Sequence, residues 1–229
     1  MKVPGIIGGI SPESTVEYYR SIISAYNELN QDGNNPQIII NSIDMNRMID
    51  LIKTGKSDEL IEYLSKEINK LAFSGADFGV LTSNTPHIVF NDLQKNSHIP
   101  LISIVEETRK KAEKTGLKKL GLLGTKFIME SNLYTAEFSK KDISVIVPCK
   151  PEREYIHKII MDELVKGIFT DKTKKGLLEI IKSLKKNNSI QGLILACTEL
   201  PLILSQEDEK DILILNTVKI HVKSIVDQM

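Results

Sequence analysis

Two matching stretches of sequence decide the fold. Gly79–Thr85 reads GVLTSNT and Gly192–Thr198 reads GLILACT, so each is a short apolar run that ends in small polar residues. Ser83 and Cys197 occupy the same place in the two stretches, 114 residues apart (197 − 83). A match of this kind predicts that the chain contains two related halves.

A second pair of stretches supports this repeat. GIIGG at Gly5–Gly9 is matched by GLLGT at Gly121–Thr125, 116 residues later (121 − 5). The two pairs occur in the same order and at nearly the same spacing, which a single chance GxxG match would not give.

Short apolar runs alternate with longer segments whose apolar residues are spaced as on one face of a helix. The runs are apolar on both sides, as strands buried in a parallel sheet are, and their alternation with helices predicts βαβ units. We therefore expect an α/β fold with two pseudo-symmetric, doubly wound lobes and mostly parallel sheets. The predicted strands are Val3–Ile7, Gln37–Ile43, Phe78–Leu81, Pro100–Ile104, Leu120–Leu123, Val145–Val147, Gly192–Leu195 and Ile212–Leu215.

The repeat also predicts lobe boundaries. We expect residues 1–99 with 207–229 to form the first lobe and residues 100–206 to form the second. The reason is that the segment after Asp211 lies beyond the second repeat and can return to complete the first lobe.

Ligands of open α/β sheets bind at the carboxyl ends of the strands. An active site is therefore expected in the cleft between the lobes, where strand-end loops of both would meet. The four loops predicted to lie there are Gly8–Pro12, Thr82–His87, Gly124–Phe127 and Ala196–Pro201.

Composition argues against several classes of partner. The 30 basic and 30 acidic residues give a formal net charge of +0, whereas nucleic acid or an anionic membrane surface would require a concentrated basic excess. The basic run Lys182–Lys186 is interpreted as the solvated end of a helix. No secretory signal and no apolar run of the ~20 residues that span a membrane are expected.

Cysteine and histidine usage indicates reduced thiols and no metal. The two cysteines, Cys149 and Cys197, lie in different contexts without a CxxC partner, which favours a cytoplasmic location. The four histidines show neither HxxxH nor HExxH spacing, so no metal site is predicted.

Cys197 lies at the end of an apolar run, directly before Thr198 and Glu199. A free cysteine is commonly a buried structural residue. The functional alternative is a reactive thiol, because a strand-end loop faces a cleft and its backbone N–H groups can lower the thiol pKa from about 8.5. Cys149 has no such neighbours and is interpreted as an ordinary loop thiol.

The loop Ser83–His87, SNTPH, is dense in hydrogen-bonding side chains. Such residues make good turns and helix caps, and at a helix N-terminus they also make a carboxylate site. Ser11 is a predicted N-cap before Pro12, and a small carboxylate fits there better than a nucleotide, since neither GxGxxG nor a P-loop lysine is present.

Together these blocks resemble the aspartate/glutamate racemase family. GIIGGISPESTVEYY, SNTPH, LLGT followed by Met129, and CTELP occur in the family's order over nearly the whole chain. The resemblance implies a homodimer that uses no pyridoxal phosphate or other cofactor and acts on a small amino-acid substrate. It also implies one catalytic residue from each lobe, Cys197 and Ser83, on opposite sides of the substrate Cα.

The resemblance further implies which residues bind the substrate. Loss of the α-proton makes the carboxylate enediolate-like, so hydrogen-bond donors must surround it. The implied residues are Ile10, Ser11, Asn84, Thr85 and Thr198 around the α-carboxylate, Thr125 and Arg47 near the distal group, and Glu199 as a further substrate-binding residue. For Arg47, a surface salt bridge is the other interpretation.

The chain departs from the family's pattern at three places. Ser83 stands where the family has its first cysteine, Val165 precedes Lys166 where an ELKxG-like block is usual, and Asn216 replaces the Asp of DTxxIH. A serine hydroxyl is far less acidic than a thiol. We therefore expect asymmetric catalysis, in which Cys197 abstracts protons and Ser83 mostly returns them.

Three functions follow from these observations. The first is interconversion of L- and D-aspartate or glutamate. A related one-cysteine alternative is a dicarboxylate decarboxylase or isomerase in which Cys197 acts alone. The third is an amino-acid-binding protein that has kept the site and lost the chemistry.

Overall fold

The computed structural model describes residues 1–30 and 33–229. All eight predicted strands are present within two residues of their predicted ends. They are β1 (Pro4–Gly8), β2 (Ile39–Ser42), β3 (Phe78–Leu81), β4 (Leu101–Ile102), β5 (Lys119–Gly124), β6 (Ser144–Ile146), β7 (Gly192–Ala196) and β8 (Leu213–Asn216).

The strands form two parallel sheets of four strands with the same order. The first sheet runs β2-β1-β3-β4 and the second runs β6-β5-β7-β8. Each strand of the second sheet therefore takes the place of its counterpart in the first. This confirms the predicted α/β class with doubly wound, pseudo-symmetric halves.

Helices and two short 3₁₀ turns connect the strands. The 3₁₀ turns lie at Thr85–Val89 and Leu164–Lys166. The helices are α1 (Pro12–Asn30), α2 (Met45–Lys53), α3 (Ser57–Phe73), α4 (Phe90–Asn96), α5 (Ile104–Lys114), α6 (Lys126–Glu130), α7 (Leu133–Ser139), α8 (Lys150–Asp162), α9 (Asp171–Asn188), α10 (Leu200–Ile203) and α11 (Thr217–Gln228).

The chain divides into two compact units. The first comprises Met1–Glu107 with Val218–Met229, and the second comprises Thr108–Thr217. These boundaries lie further along the chain than the predicted ones. The reason is strand pairing: β4 bonds to β3 of the first sheet, and β8 bonds to β7 of the second.

Helices cover both faces of the first sheet. Neighbouring strand residues point to opposite faces, and Ile7 packs with Leu64 of α3, whereas Ile6 packs with Tyr18 of α1 and Ile225 of α11. Both isoleucines are fully buried, which is why β1 is apolar without alternation.

One face of the second sheet packs against α8 and α9. Leu193 and Leu195 of β7 contact a cluster that includes Ile156 of α8 and Leu177 of α9. The basic run Lys182–Lys186 lies in the last turns of α9, as predicted.

Candidate active site

The four predicted loops follow the two central strands of each sheet. In the sheet order β2-β1-β3-β4, the connection after β1 runs to one side of the sheet and the connection after β3 runs to the other side. The topological switch point, where the direction of the connections reverses, therefore lies between β1 and β3. The equivalent point of the second sheet lies between β5 and β7. Ligands of doubly wound sheets bind at such points. Each unit therefore has two of the predicted loops at its own switch point.

The loop after β1 leads directly into α1. Gly9 has φ +82°, and an added Cβ would lie 2.8 Å from the backbone N of Ile43, so this turn requires glycine. Ser11 accepts from the Ser14 amide at 3.3 Å, which confirms it as a helix cap. The Ile10 side chain is buried in the core, so only the backbone of Ile10 is suited to contact a ligand.

The loop after β3 is tied back to β1. Both the amide and the hydroxyl of Thr82 donate to the carbonyl oxygen of Ile7, at 3.2 and 3.1 Å. These bonds fix the start of the loop beside the turn at Gly9. Ser83 and Thr85 are half-buried, whereas Asn84 is buried.

His87 holds the same loop, and no role was predicted for it. Its Nδ1 lies 2.9 Å from the carbonyl oxygen of Ser83, and the amide of Ile104 donates to its Nε2 at 3.3 Å. Burial, with a smaller contribution from His221, lowers the pKa of His87 to about 3. The motif SNTPH could have indicated this bond. His87 follows Ser83 by four residues, about one helical turn, which places its ring within reach of the Ser83 carbonyl.

Arg47 lies on α2, shortly after β2. Its guanidinium carbon is 4.4 Å from the ring centroid of Tyr63, a cation–π contact. Asp44 caps this helix by accepting from the amides of Asn46 and Arg47. The structure thus gives Arg47 an aromatic neighbour where a surface salt bridge was the other interpretation.

In the second unit, Cys197 lies at the end of β7 with Glu199 beside it. The thiol donates to Glu199 Oε2 at 2.9 Å, and the hydroxyl of Thr198 donates to the same oxygen at 2.7 Å. Cys197 and Glu199 are each 9% exposed. Glu199, predicted as a substrate ligand, is therefore also the hydrogen-bond partner of the thiol.

This environment raises the pKa of Cys197 well above its ordinary value. Burial is the largest cause, followed by the charge of Glu199 and its hydrogen bond to the thiol. The amides of Glu199 and Thr198 act in the opposite direction but are outweighed. The expected lowering of the thiol pKa by loop amides is therefore wrong in net direction, and the thiol is protonated at neutral pH.

Thr125 lies next to Cys197 at the sheet edge. Gly124 of β5 is in register with Ala196 of β7, so the residues that follow them are neighbours. Within the described part of the chain, the buried Oγ1 of Thr125 has no hydrogen-bond partner. A buried hydroxyl in this state costs about 1–3 kcal/mol, which an oxygen or nitrogen of a ligand would offset.

The remaining positions of interest lie elsewhere. Cys149 is exposed and is the N-cap of α8, where its amide donates to Glu152. Lys166 is exposed in its 3₁₀ turn, and Asn216 ends β8. His221 is buried on α11 and bonds Tyr18 in the first unit.

Two other kinds of site are absent from residues 1–30 and 33–229. No group of three or more His, Cys, Asp or Glu side chains there is arranged to hold a metal ion. Nor does any helix in those ranges have the length and apolar character needed to cross a membrane.

The fold and its strand-end loops define a duplicated, doubly wound α/β protein with a polar loop pair at each switch point. Residues 7–225 match the model of the Asp/Glu/Hydantoin racemase family. The chain belongs to this family.

Among relatives, the broad specificity amino-acid racemase RacX of Bacillus subtilis is 29% identical over 141 residues, 57% of this chain and 57% of that protein. A glutamate racemase of a Hydrogenobaculum species is 30% identical over 160 residues, 68% of this chain and 58% of that protein. The chain thus matches little more than half the length of these curated relatives.

Solved structures match over the full length. An aspartate racemase homologue from Pyrococcus horikoshii is 32% identical with a TM-score of 0.88, covering 100% of this chain and 99% of that one. A Yersinia pestis protein, described only provisionally as an Asp/Glu racemase, is also 32% identical with a TM-score of 0.93 over 100% and 99% of the two chains.

Proposed function

We propose that this protein interconverts L- and D-aspartate, or L- and D-glutamate, by proton transfer at Cα without pyridoxal phosphate. The observation that carries the proposal is the buried Cys197 thiol at the switch point of the second sheet, 2.9 Å from the Glu199 carboxylate. Membership of the racemase family supports it.

Cys197 reaches its basic form by passing its proton to Glu199. The S–H bond breaks, an O–H bond forms at Oε2, and the negative charge moves from oxygen to sulfur, so the pair keeps the same total charge. The thiolate then takes the α-proton. In the resting pair the proton stays on sulfur, because burial and the carboxylate both raise the pKa of Cys197. The ammonium group of a bound amino acid would favour the thiolate by its charge.

The substrate carboxylate needs donors as negative charge develops on it. We assign this task to the amides at Ile10 and Ser11, and to Asn84, Thr85 and Thr198. We assign binding of the distal carboxylate to the guanidinium of Arg47 and to the hydroxyl of Thr125, which has no hydrogen-bond partner among the described residues. A guanidinium already stacked on an aromatic ring loses less conformational freedom when it binds a carboxylate.

Ser83 is the proposed partner of Cys197 on the opposite face of Cα. Its hydroxyl can donate a proton to the far more basic Cα carbanion, and the alkoxide left behind then takes a proton from water. It is a poor base for the reverse step, because an alkoxide is scarcely populated at neutral pH. The mechanism requires the side chains of Cys197 and Ser83 both to reach the substrate Cα. It also predicts that the enantiomer whose Cα–H faces Cys197 exchanges faster with solvent.

The one-cysteine alternative is favoured by one specific observation. A protonated thiol beside a carboxylate is well suited to deliver a proton to a carbanion from a single face. A decarboxylase of a malonate-type acid needs only that step after loss of CO₂.

Proton NMR in deuterium oxide with a panel of amino acids and malonate-type acids tests these proposals. We expect deuterium at Cα of aspartate or glutamate. Cys197→Ala should abolish this exchange and leave ligand binding intact, while the matched control Cys149→Ala, on the exposed thiol, should retain it. Loss of CO₂ from a malonate would favour the alternative, and binding without any exchange would refute both enzymatic functions.

A further inference from the structure

We propose that His87 is a positioning residue for Ser83, whose imidazole clamps the peptide after Ser83 to the amide of Ile104 at the start of α5. The inference rests on the proposed function, because it assigns Ser83 a step in proton transfer. All groups involved belong to the first unit.

The hydrogen bonds of His87 specify one protonation state of the ring. An amide can only donate, so Nε2 accepts from Ile104 and carries no hydrogen. Nδ1 therefore carries the hydrogen and donates to the carbonyl oxygen of Ser83 at 2.9 Å. The other neutral tautomer would lose both of these bonds, and the imidazolium would lose the bond to Ile104.

Packing around the ring holds it in this orientation. His87 is 2% exposed. The ring of Phe90 stacks on it with centroids 5.1 Å apart and planes 5° from parallel, and the edge of His221 lies 6.4 Å away. Because burial lowers the pKa of His87 to about 3, the ring is neutral at neutral pH, where a substrate amino acid carries its charged ammonium and carboxylate groups.

His221 fixes the other side of the same corner. Its Nε2 donates to the carbonyl of Ile102 at 3.1 Å, so its Nδ1 accepts from the hydroxyl of Tyr18 at 2.9 Å. Ile102 ends β4 and Ile104 begins α5. The corner that anchors His87 is thus itself bonded to α1 and α11.

The clamp acts on the peptide that follows Ser83. Thr82 is bonded to β1 on the near side of Ser83, and His87 holds the Ser83 carbonyl on the far side. Without the Nδ1 donor, the Ser83 carbonyl loses this bond and the peptide between Ser83 and Asn84 is able to rotate. Misplacement of a reacting group by about 1 Å costs on the order of 10²-fold in rate.

Two variants separate the functions of the two ring nitrogens. The amide nitrogen of asparagine can occupy the place of Nδ1, so His87→Asn keeps the donor to Ser83. Glutamine extends to the place of Nε2, so His87→Gln loses that donor. His221→Gln is the matched control, since it removes a buried imidazole from the same core while the glutamine amide nitrogen can keep the bond to the Ile102 carbonyl.

The decisive readout is the ratio of inversion to exchange with retention, starting from the enantiomer whose Cα–H faces Cys197. Retention needs Cys197 alone, whereas inversion also needs Ser83. We expect His87→Gln to lower this ratio about tenfold or more, with His87→Asn and His221→Gln near the wild-type ratio. Equal falls in inversion and retention, or an equal fall in the ratio for His87→Asn or His221→Gln, would overturn the proposal.

A second measurement does not depend on activity. The ¹⁵N shifts of the wild-type imidazole report its tautomer, and an Nδ1–H form with a protected Ile104 amide is expected. An Nε2–H form would refute the clamp even in an active enzyme. A wild-type protein with the Nδ1–H form but no exchange of any amino acid would instead refute the proposed function, and with it the role of the clamp in proton transfer.

Discussion

Replacing Ser83 by cysteine should speed up proton abstraction from the enantiomer whose Cα–H faces residue 83, which is the slow step of the proposed reaction. The substitution exchanges a hydroxyl for a thiol on a backbone held from both sides by Thr82 and His87. The new group therefore starts from the place of the old one. Ser83 is only half-buried, so a thiol there should titrate closer to the ordinary value than the buried Cys197 does.

The expected magnitude follows from two factors. A well-placed general base contributes about 10²- to 10⁴-fold in rate. A thiol with a pKa of about 8.5 is roughly 3% thiolate at pH 7. Their product is about 3- to 300-fold, so Cα exchange from the enantiomer that faces residue 83 should rise by around tenfold or more. The other enantiomer should change much less.

The assay follows deuterium incorporation by proton NMR, starting from each enantiomer separately. Because the two enantiomers are equally stable, kcat/KM for racemisation must be the same in both directions. Initial exchange rates are free of this constraint and reveal the asymmetry. Ser83→Ala is the control, and it should abolish inversion while exchange with retention at Cys197 persists. Equal wild-type exchange from both enantiomers, or no gain in Ser83→Cys, would refute the one-sided mechanism.

Three further predictions test the site and its scaffold. Glu199→Gln removes the negative charge that helps to raise the pKa of Cys197. In a Cys149→Ser background, thiol alkylation should therefore reach half its maximum at a lower pH, and an unshifted profile would contradict this. Gly9→Ala places a Cβ against the backbone of Ile43 at a residue with positive φ. It should lower the free energy of unfolding by about 1–3 kcal/mol, measured by urea denaturation. An unchanged midpoint would contradict this and show that the turn relaxes. Chelators should leave activity unchanged, and loss restored by added metal would refute the metal-independent mechanism.

The strands and the four loops were predictable because their signals are local. A run such as Gly192–Ala196 is apolar on both sides since both faces of its strand are buried. The polar residues that follow it mark the sheet edge without any knowledge of the partner strand. A switch point between β5 and β7 then follows once the order of the sheet is known.

Other features depend on contacts that the sequence does not display. The raised pKa of Cys197 results from burial and from the Glu199 side chain folding back onto sulfur, neither of which the motif CTELP specifies. His87 bonds a residue 17 positions away, and its neighbour His221 lies 134 positions further along the chain (221 − 87). The lobe boundaries were displaced because the sequence does not display that β4 pairs with β3 and β8 with β7.

The division of the first unit into Met1–Glu107 and Val218–Met229 has a consequence for biosynthesis. Residues 108–217 are continuous and leave the ribosome before α11 does. Until then one face of the first sheet, including Ile6 and Phe78, lacks the cover that α11 gives it through Ile225 and Val226. On the ribosome, the second unit should therefore reach its native packing first. The first unit should wait as a partly exposed nascent chain of the kind that chaperones bind.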